Sequence, residues 1–351
     1  MSSALDALTA DGTMSVDVAQ IERQLRALWQ RGGETISRAC LFNFVVWCGS
    51  ETDAERATAV ISELTGRHPC RAIVLVAEPE RADSRLTASL KAHCRLADGG
   101  RKQVCCEQIT LGAAAAAVSQ LAPTVLSLLE GDLPTVLWWR GNFLEQLSAF
   151  ERMRAVADRV LFDTSAWPQA HRQLQRLHQT IREPPPPLYA DLSWTRLALW
   201  RKLIADCFDE PPFRAMLAQV ERVVVRHGGG PGARVRALLY AGWLAARLGW
   251  TADGARDRVR VEPCEGDDVA AIGIESVELR AGDASALVRK DLGESVAQAV
   301  VSMPQMCSLP RRQAFAPMTE TALLSQQLDQ VAPHTAYERA LQLAVALEQT
   351  A

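Results

Sequence analysis

Apolar and polar positions in the first half of the chain follow two alternating patterns. Short runs that are apolar at almost every position predict strands buried on both faces, and the segments between them carry apolar residues at helical spacing. The predicted strands are 38–48, 72–77, 104–111, 135–139 and 160–162. Strands and helices that alternate in this way are typical of a parallel sheet covered on both sides. We therefore predict a doubly wound, mostly parallel, Rossmann-like α/β domain over residues 1–183, with an N-terminal helix from Asp17.

Four consecutive prolines, Pro184–Pro187, interrupt this pattern. Proline cannot continue a helix, and a run of prolines favours a stiff, extended spacer. We therefore predict that residues 184–190 link two domains.

The second half of the chain has a different periodicity. Ser193 is predicted to cap a helix, and a strand over 220–226 precedes a helix over 233–248. Residues 258–303 then alternate apolar and polar, which predicts antiparallel strands with one face in water. Two helices near 320–330 and 336–349 follow. The prediction for residues 191–351 is an α+β domain with antiparallel strands.

Composition limits the classes of partner. Among 351 residues, 48% are hydrophobic and 23% are charged, and the formal net charge is −3. This balance provides no overall field to attract nucleic acid or an anionic membrane surface. Residues 1–17 lack a basic start followed by an apolar run, and no apolar stretch reaches the roughly 18 residues of a membrane span. We therefore expect a cytoplasmic protein that binds neither nucleic acid nor membrane.

Cysteine and histidine do not suggest a metal site. The nine cysteines are an odd number in a long chain, so reduced thiols are expected. No Cys-x-x-Cys pair is present, and the histidines do not fall at zinc-ligand spacing. The adjacent Cys105 and Cys106 lie in a predicted strand, where they point to opposite faces and cannot easily bond to each other. Two reduced thiols are the main interpretation, and a redox sensor is the alternative.

The glycine-rich loop Gly228–Gly232 lies between a predicted strand and a predicted helix. Gly228, Gly230 and Ala233 match G-x-G-x-x-A, the pattern of a dinucleotide-binding turn. Against this, Pro231 removes one amide donor, and the acid Glu262 lies beyond the expected ~20-residue offset. A tight turn is the preferred interpretation, with binding of a dinucleotide or a simple phosphate left open. No P-loop or G-x-S-x-G is present, and we predict no catalytic residue, cofactor or metal.

Tryptophans and arginines provide the candidate binding residues. Trp138 and Trp139 end a central strand, so they either pack under helices or form an aromatic platform. Trp194 and Trp200 lie on the helix that Ser193 is predicted to cap. The same choice between core packing and an interface anchor applies to them. The remaining candidates for partner binding are arginines, namely Arg196, Arg201, Arg311 and Arg312.

Several blocks of sequence resemble one family. The blocks are Arg38–Val46, His68–Val74, Cys105–Leu111, Asp132–Trp139, Ala157–Val160, Asp191–Leu197 with Trp200-Arg201 and Phe208-Asp209, Gly242–Trp250 and Glu320–Leu324. The double tryptophan and the Asp-Leu-Ser-Trp-Thr-Arg block are the most specific. In these blocks the chain is similar to the glucose-6-phosphate dehydrogenase assembly proteins, the OpcA family. Arg140 departs from the pattern, because many relatives are expected to have proline after the double tryptophan.

The resemblance implies a function without catalysis. A member of this family is expected to bind glucose-6-phosphate dehydrogenase and to promote its active state, which would support the oxidative pentose phosphate pathway and NADPH supply. The alternative is an enzyme or sensor that binds a nucleotide or sugar phosphate at Gly228–Gly232.

Overall fold

A sheet with a parallel centre forms the first of two units in this computed structural model. The structure describes residues 14–30, 36–78, 86–96, 103–114, 117–141, 146–184, 187–264, 273–291, 295–330 and 335–348. The first unit consists of the described parts of 1–162, 187–190 and 319–331, and the second unit of those of 163–186, 191–318 and 332–351. Each unit therefore takes residues from three separate segments of the chain.

The first sheet has the strand order β1-β5-β6-β4-β3-β7-β8-β9, with β2 beside β6. Its strands are β1 (Met14–Val16), β2 (Ile36–Arg38), β3 (Asn43–Cys48), β4 (Arg71–Glu78), β5 (Thr87–Leu96), β6 (Gln103–Ala114), β7 (Thr135–Trp139), β8 (Arg159–Phe162) and β9 (Leu188–Asp191). The path β6-β4-β3-β7-β8 is parallel throughout, whereas β5 pairs antiparallel with β6 and β1. From β3 the chain runs outward to β4 and β6, then returns to β7 and β8 on the other side. This reversal is the switch point of a doubly wound sheet.

Helices of the first unit are α1 (Ile21–Gln30), α2 (Glu51–Leu64), α3 (Val118–Leu128), α4 (Leu147–Arg154) and α11 (Glu320–Asp329). Ser50 caps α2 as its sequence suggests, because its hydroxyl accepts a hydrogen bond from the amide of Asp53 at 3.2 Å. The parallel strands are buried along nearly their whole length, which explains why they are apolar at successive positions.

The second unit is built on a sheet of order β11-β10-β12-β13-β14-β15, with β16 also paired to β14. Its strands are β10 (Arg222–His227), β11 (Val259–Pro263), β12 (Ile274–Ala281), β13 (Ala284–Asp291), β14 (Val296–Met303), β15 (Met306–Cys307) and β16 (Arg311–Ala314). All pairs are antiparallel except β10 with β11. On β12, β13 and β14 buried positions alternate with more exposed ones, which is the one-faced burial that the period of two predicts.

Helices of the second unit are α5 (Ala170–Thr180), α6 (Leu192–Arg196), α7 (Ala198–Asp206), α8 (Pro211–Met216), α9 (Ala233–Arg247), α10 (Ala252–Arg258) and α12 (Thr335–Glu348). The buried helix α9 packs against α12 and against β10. At Gly242 the two helices approach so closely that an added Cβ would lie 2.3 Å from the carbonyl oxygen of Ala340. The mixed α/β class is thus confirmed, with a mostly parallel first sheet and an antiparallel-rich second sheet.

Several local predictions differ from the structure. No strand is predicted where β5 lies, although Ala88, Leu90 and Ala92 alternate with more exposed residues. The strand predicted over 104–111 continues to Ala114, although its alanine-rich end also suits a helix, and α3 begins at Val118. The cap of the helix after β9 is Asp191, not Ser193, since the Asp191 side chain accepts from the amide of Ser193.

The cysteine prediction is wrong at one pair. A disulfide joins Cys94 to Cys105, whose Cα atoms are 4.1 Å apart. The two residues lie directly opposite each other on the antiparallel strands β5 and β6, so their side chains share a face. Cys106 points to the other face and is a free thiol whose sulfur lies 3.0 Å from the Thr65 hydroxyl.

The last residues of the predicted linker 184–190 belong to β9, and residues 185–186 lie outside the described part of the chain. How the chain divides into independently folding domains stays a prediction. No helix within the described residues is both long enough and apolar enough to cross a lipid bilayer.

Candidate functional site

The carboxyl ends of β3 and β7 meet at the switch point of the first sheet, where doubly wound proteins form a ligand crevice. Trp47 and Trp139 stand opposite each other in the parallel register at these ends. Their rings stack with centroids 4.8 Å apart and an interplanar angle of 16°, and each residue is 1% exposed. The Trp47 indole N–H donates to Gln146 Oε1 at 2.9 Å. Packed aromatic side chains therefore lie at the ends of both central strands.

Arg140 follows β7 directly and adds charge to this point. Its guanidinium donates to Asp53 Oδ1 at 2.6 Å and to Glu320 Oε1 at 2.7 Å. The same group lies over the Trp138 ring, 4.3 Å from its centroid. Despite the opposing effect of burial, these carboxylates raise the pKa of Arg140. Where a proline was expected from the family resemblance, this chain thus has an ion cluster that ties β7 to α2 and α11.

The four candidate tryptophans are all buried. Trp138 and Trp139 are each 1% exposed, Trp194 is 4% exposed and Trp200 is 2% exposed. Trp138 stacks on Phe44, and Trp200 makes edge contacts with other rings. This placement matches the core-packing interpretation. As partner contacts the tryptophans stay a prediction, and a partner could reach them only after a rearrangement.

Two of the candidate arginines are engaged inside the second unit. Arg196 donates to Asp163 Oδ2 at 2.6 Å. Arg201 lies over the Trp194 ring, 3.8 Å from its centroid, and donates to the Trp194 carbonyl at 2.8 Å. Burial lowers the pKa of Arg201 to about 10. Both side chains therefore stabilise the Asp-Leu-Ser-Trp-Thr-Arg segment rather than extend freely into water.

Arg311 and Arg312 have a different placement. They lie on β16, whose four residues are all exposed. Arg311 approaches Asp209 Oδ2 at 3.3 Å and Glu210 Oε1 at 3.8 Å. Exposed ion pairs of this kind contribute little to stability. Of the sequence-predicted binding residues, these two are the ones that the structure presents to solvent.

The Asp-Leu-Ser-Trp-Thr-Arg segment also contains a buried carboxyl, that of Asp191, which is 1% exposed. Its Oδ1 accepts from the amides of Ser193 at 2.9 Å and Thr164 at 3.1 Å. Its Oδ2 accepts from the Thr164 hydroxyl at 2.7 Å and the Tyr337 hydroxyl at 3.2 Å. Burial, followed by the nearby charge of Asp163, raises the pKa of Asp191 to about 7.

Asp163 has the opposite electrostatic environment. It follows β8 and caps the 3₁₀ turn Thr164–Ala166, accepting at Oδ1 from the Ser165 hydroxyl at 2.6 Å and the Ser193 hydroxyl at 2.7 Å. Burial opposes ionisation, but the charge of Arg196 and these hydrogen bonds lower the pKa of Asp163. The pair therefore joins the 3₁₀ turn to α6 with one firmly ionised carboxylate and one that binds a proton near neutrality. Sequence reasoning missed Asp163, whose signal is an acid directly after a buried strand.

The two ends of the loop Gly228–Gly232 are packed by the chain's own atoms, whereas Gly229 between them is exposed. Gly232 has φ +68, and an added Cβ there would lie 2.2 Å from the Ser165 side chain. The Gly228 amide donates to the Gly273 carbonyl, and the Ala233 amide donates to that of Gly230. Only glycine fits this approach, so the geometry favours the tight-turn interpretation over a phosphate cradle.

A cleft of about 300 Å³ lies at the amino ends of the parallel strands and is lined by Arg38, Cys40 and Glu130–Leu133. Beneath it, the buried Glu107 accepts from Arg71 Nε at 2.6 Å and from Arg38 at 2.8 Å. The lining arginine is thus already paired within the unit. Among the described residues, no group of three or more His, Cys, Asp or Glu side chains could hold a metal ion.

The fold and the packed strand ends define a class of protein: two mixed α/β units, the first with a parallel sheet and the second with an antiparallel one. Residues 42–179 match a family described as the glucose-6-phosphate dehydrogenase subunit N-terminal domain, and residues 187–341 match the corresponding C-terminal domain. The chain belongs to the OpcA family.

Relatives support this assignment. A protein of Nostoc punctiforme provisionally named OxPP cycle protein OpcA is 32% identical over 244 residues, which are 69% of this chain and 49% of that protein. A protein of Synechocystis with the same provisional name is 30% identical over 195 residues, covering 55% of this chain and 40% of that protein. The chain thus matches about half of each relative's length or less.

Solved structures give a weaker likeness. The 3-ketoreductase KijD10 of Actinomadura kijaniata, in complex with TDP-benzene and NADP, is 11% identical with a TM-score of 0.47, and the match covers 88% of this chain and 96% of KijD10. An aldose-aldose oxidoreductase of Caulobacter crescentus is 10% identical with a TM-score of 0.45, covering 88% of this chain and 97% of that one. At these values the likeness has no bearing on function.

Proposed function

We propose that this chain binds glucose-6-phosphate dehydrogenase and promotes its active state, without performing a reaction of its own. The observation that carries the proposal is the match of both halves, in order, to the two domains of a glucose-6-phosphate dehydrogenase subunit family. A role in the oxidative pentose phosphate pathway, and in the supply of NADPH, would follow from this partner.

The geometry supports a binding role over catalysis. The ends of β3 and β7, where a doubly wound enzyme would hold its ligand, carry stacked indoles and the ion cluster of Arg140. At Gly228–Gly232, the other candidate ligand site, the Gly228 amide donates to the Gly273 carbonyl and Gly232 packs against Ser165. The proposed mechanism is selective binding: a partner shifts the dehydrogenase towards one conformation or oligomeric state only by its differential affinity for that state.

The test is the activity of glucose-6-phosphate dehydrogenase from the same organism, with and without the purified chain, together with light scattering of the mixture. We expect activity to rise saturably with added chain and a joint species of higher mass to form. An unrelated NADP-dependent dehydrogenase serves as the control and should not respond. Unchanged activity with no joint species would contradict the proposal.

A further inference from the structure

The outer face of the second sheet carries arginines in cross-strand rows. Residues such as Val277, Val288 and Val301 are fully buried and define the inner face, and neighbours in each strand point the other way. One outer row places Arg226, Arg289 and Arg312 on every second strand, with Ser276 and Gln298 between them. Because neighbouring strands lie ~4.8 Å apart, successive arginines of this row are about 10 Å apart.

A second row places Arg222 directly opposite Arg280 on β10 and β12. Arg260, on β11, lies opposite Val224 and is the sixth arginine of this outer face. Five of these six arginines are exposed, and Arg226 is half-buried. The juxtaposition of Arg222 and Arg280 concentrates positive charge at one place on the outer face.

The charge of this outer face opposes that of the whole chain. Against the six arginines, the strands contribute the acids Glu262, Glu278 and Asp291 to the same face, leaving a net charge of +3 (6 − 3) on a chain of formal charge −3. Glu278 is paired to Arg280 at 2.9 Å, and Glu262 lies 3.7 Å from Arg226. The half-buried Leu287 and Val300 lie opposite each other at its centre.

One edge of this sheet is also exposed and apolar. All four residues of β16 are exposed, and next to it Met306, Leu309 and Met318 are 43%, 87% and 42% exposed. Large exposed apolar side chains beside arginines are the composition of interface centres.

We infer that the outer face of β10–β14 and β16, together with the β15–β16 edge, is the surface that docks an acidic surface of glucose-6-phosphate dehydrogenase. The inference rests on the proposed function and adds where the partner binds and by what chemistry. A second copy of this chain fits poorly, because two faces of net charge +3 would repel. A nucleic acid fits less well than an acidic protein, because the exposed apolar side chains at the edge, such as Leu309, need an apolar partner that a phosphate backbone does not offer.

The test compares two double charge reversals that change the net charge equally. The face variant is Arg222→Glu with Arg289→Glu. The control is Arg56→Glu with Arg172→Glu, exposed arginines on α2 and α5 that lie off this face. Affinity for the dehydrogenase is measured by isothermal titration at 50 and 300 mM salt, after circular dichroism has shown equal melting temperatures for all three proteins. We expect the face variant to bind about 100-fold more weakly at low salt and the control to bind within threefold of wild type.

A third variant, Leu309→Asp, tests the apolar edge, and we expect at least a tenfold loss of affinity from it.

Equal binding by wild type, the face variant and the control would overturn the docking surface while leaving the proposed function intact. If wild type does not bind the dehydrogenase, the proposed function fails and the docking surface fails with it. Tight binding of a 20-base-pair DNA duplex that the face variant alone loses, without an effect on the dehydrogenase, would assign the face to nucleic acid. Dimerisation of wild type that the face variant alone loses, detected by light scattering, would assign it to a second copy.

Discussion

Asp191 and Asp163 lie within one network of hydrogen bonds, yet their surroundings move their pKa values in opposite directions. Asp191 is the more buried and accepts only from neutral donors, whereas Asp163 also accepts from the Arg196 guanidinium. Two interacting carboxyls of this kind titrate as a pair. Near neutral pH the pair therefore takes up or releases one proton, and Asp191 is the carboxyl whose pKa is raised, to about 7.

Replacing Asp191 by asparagine should remove a pH dependence of stability. A carboxyl whose pKa is about 7 when folded and ~3.9 when unfolded binds more protons in the folded state, so the free energy of unfolding falls as pH rises between these values. From pH 5.0 to 7.5, Asp191→Asn should therefore gain about 2–3 kcal/mol relative to wild type. Asparagine has the same shape as the carboxyl. Its side-chain NH2 can donate to the hydroxyls of Thr164 and Tyr337, because both hydroxyls can turn to accept. Urea unfolding at both pH values measures the difference.

Asp132→Asn, at an exposed carboxyl, is the control for exchanging an acid for an amide. Asp163 does not confuse the result, because the stability that its lowered pKa contributes is constant above the unfolded value of ~3.9 and is lost only as pH falls below that value. A difference between Asp191→Asn and wild type that stays constant with pH would show that Asp191 is ionised throughout.

Sequence could identify these residues only in part. The Asp-Leu-Ser-Trp-Thr-Arg block stands out, but its partner Asp163 lies 28 positions upstream of Asp191, and no local pattern joins them. The tryptophans show the converse limit. A tryptophan has the same sequence signal whether it packs inward or binds a partner. Only the burial of Trp139 and Trp194 in the structure distinguishes core packing from partner binding.

Among the elements, the contact between α9 and α12 depends on the absence of one side chain. A Cβ at Gly242 would lie 2.3 Å from the Ala340 carbonyl oxygen and 2.8 Å from the Ala344 amide nitrogen, both of them backbone atoms that cannot turn aside. Gly242→Ala should therefore push the helices apart and lower the free energy of unfolding by about 2–3 kcal/mol, measured by urea denaturation.

Gly49→Ala is the matched control, since a Cβ added there would have no atom within 4 Å and the site is exposed. Because alanine also restricts the unfolded chain, a change within ~0.5 kcal/mol of zero is expected there. Equal stability of both alanine variants would mean that α9 and α12 are less tightly packed than described.

Most elements could be predicted because their periodicity is strong. The parallel strands are buried on both faces and therefore read as apolar runs, and β12–β14 alternate clearly. Prediction failed where the signal is weak. Strand β5 buries small or polar residues such as Ala88, Ala92 and His93, and the alanine-rich end of β6 suits a helix as well as a strand.

For the whole molecule, the important feature is that α11 belongs to the first unit although it follows the second sheet in the chain. It packs against α2, with Leu323 and Leu324 fully buried. His68 Nε2 lies 2.8 Å from the Ser325 hydroxyl, and Arg159 donates to Gln327 at 2.9 Å. This return of the chain could not be read from the sequence, because helical periodicity does not reveal which sheet a helix covers.

Residues 1–190 alone should therefore fold poorly. Losing α11 exposes a surface that two buried leucines cover, at a cost of several kcal/mol. We expect the fragment to melt at least about 10 °C below the same fragment carrying residues 319–331 on a Gly-Ser linker, followed by circular dichroism. A linked segment with Leu323→Ser and Leu324→Ser should not restore the melting temperature. Equal melting of all three would support a boundary at the proline run.

The late return of α11 has a consequence for synthesis on the ribosome. Phe162 ends β8, but roughly 150 further residues, among them β9, must be translated before α11 can cover α2. At about 5–20 residues per second, the uncovered surface of α2 stays exposed for roughly 8–30 seconds. During this interval the nascent chain exposes apolar surface that chaperones can bind, and the first unit is completed only after every strand of the second sheet has been synthesised.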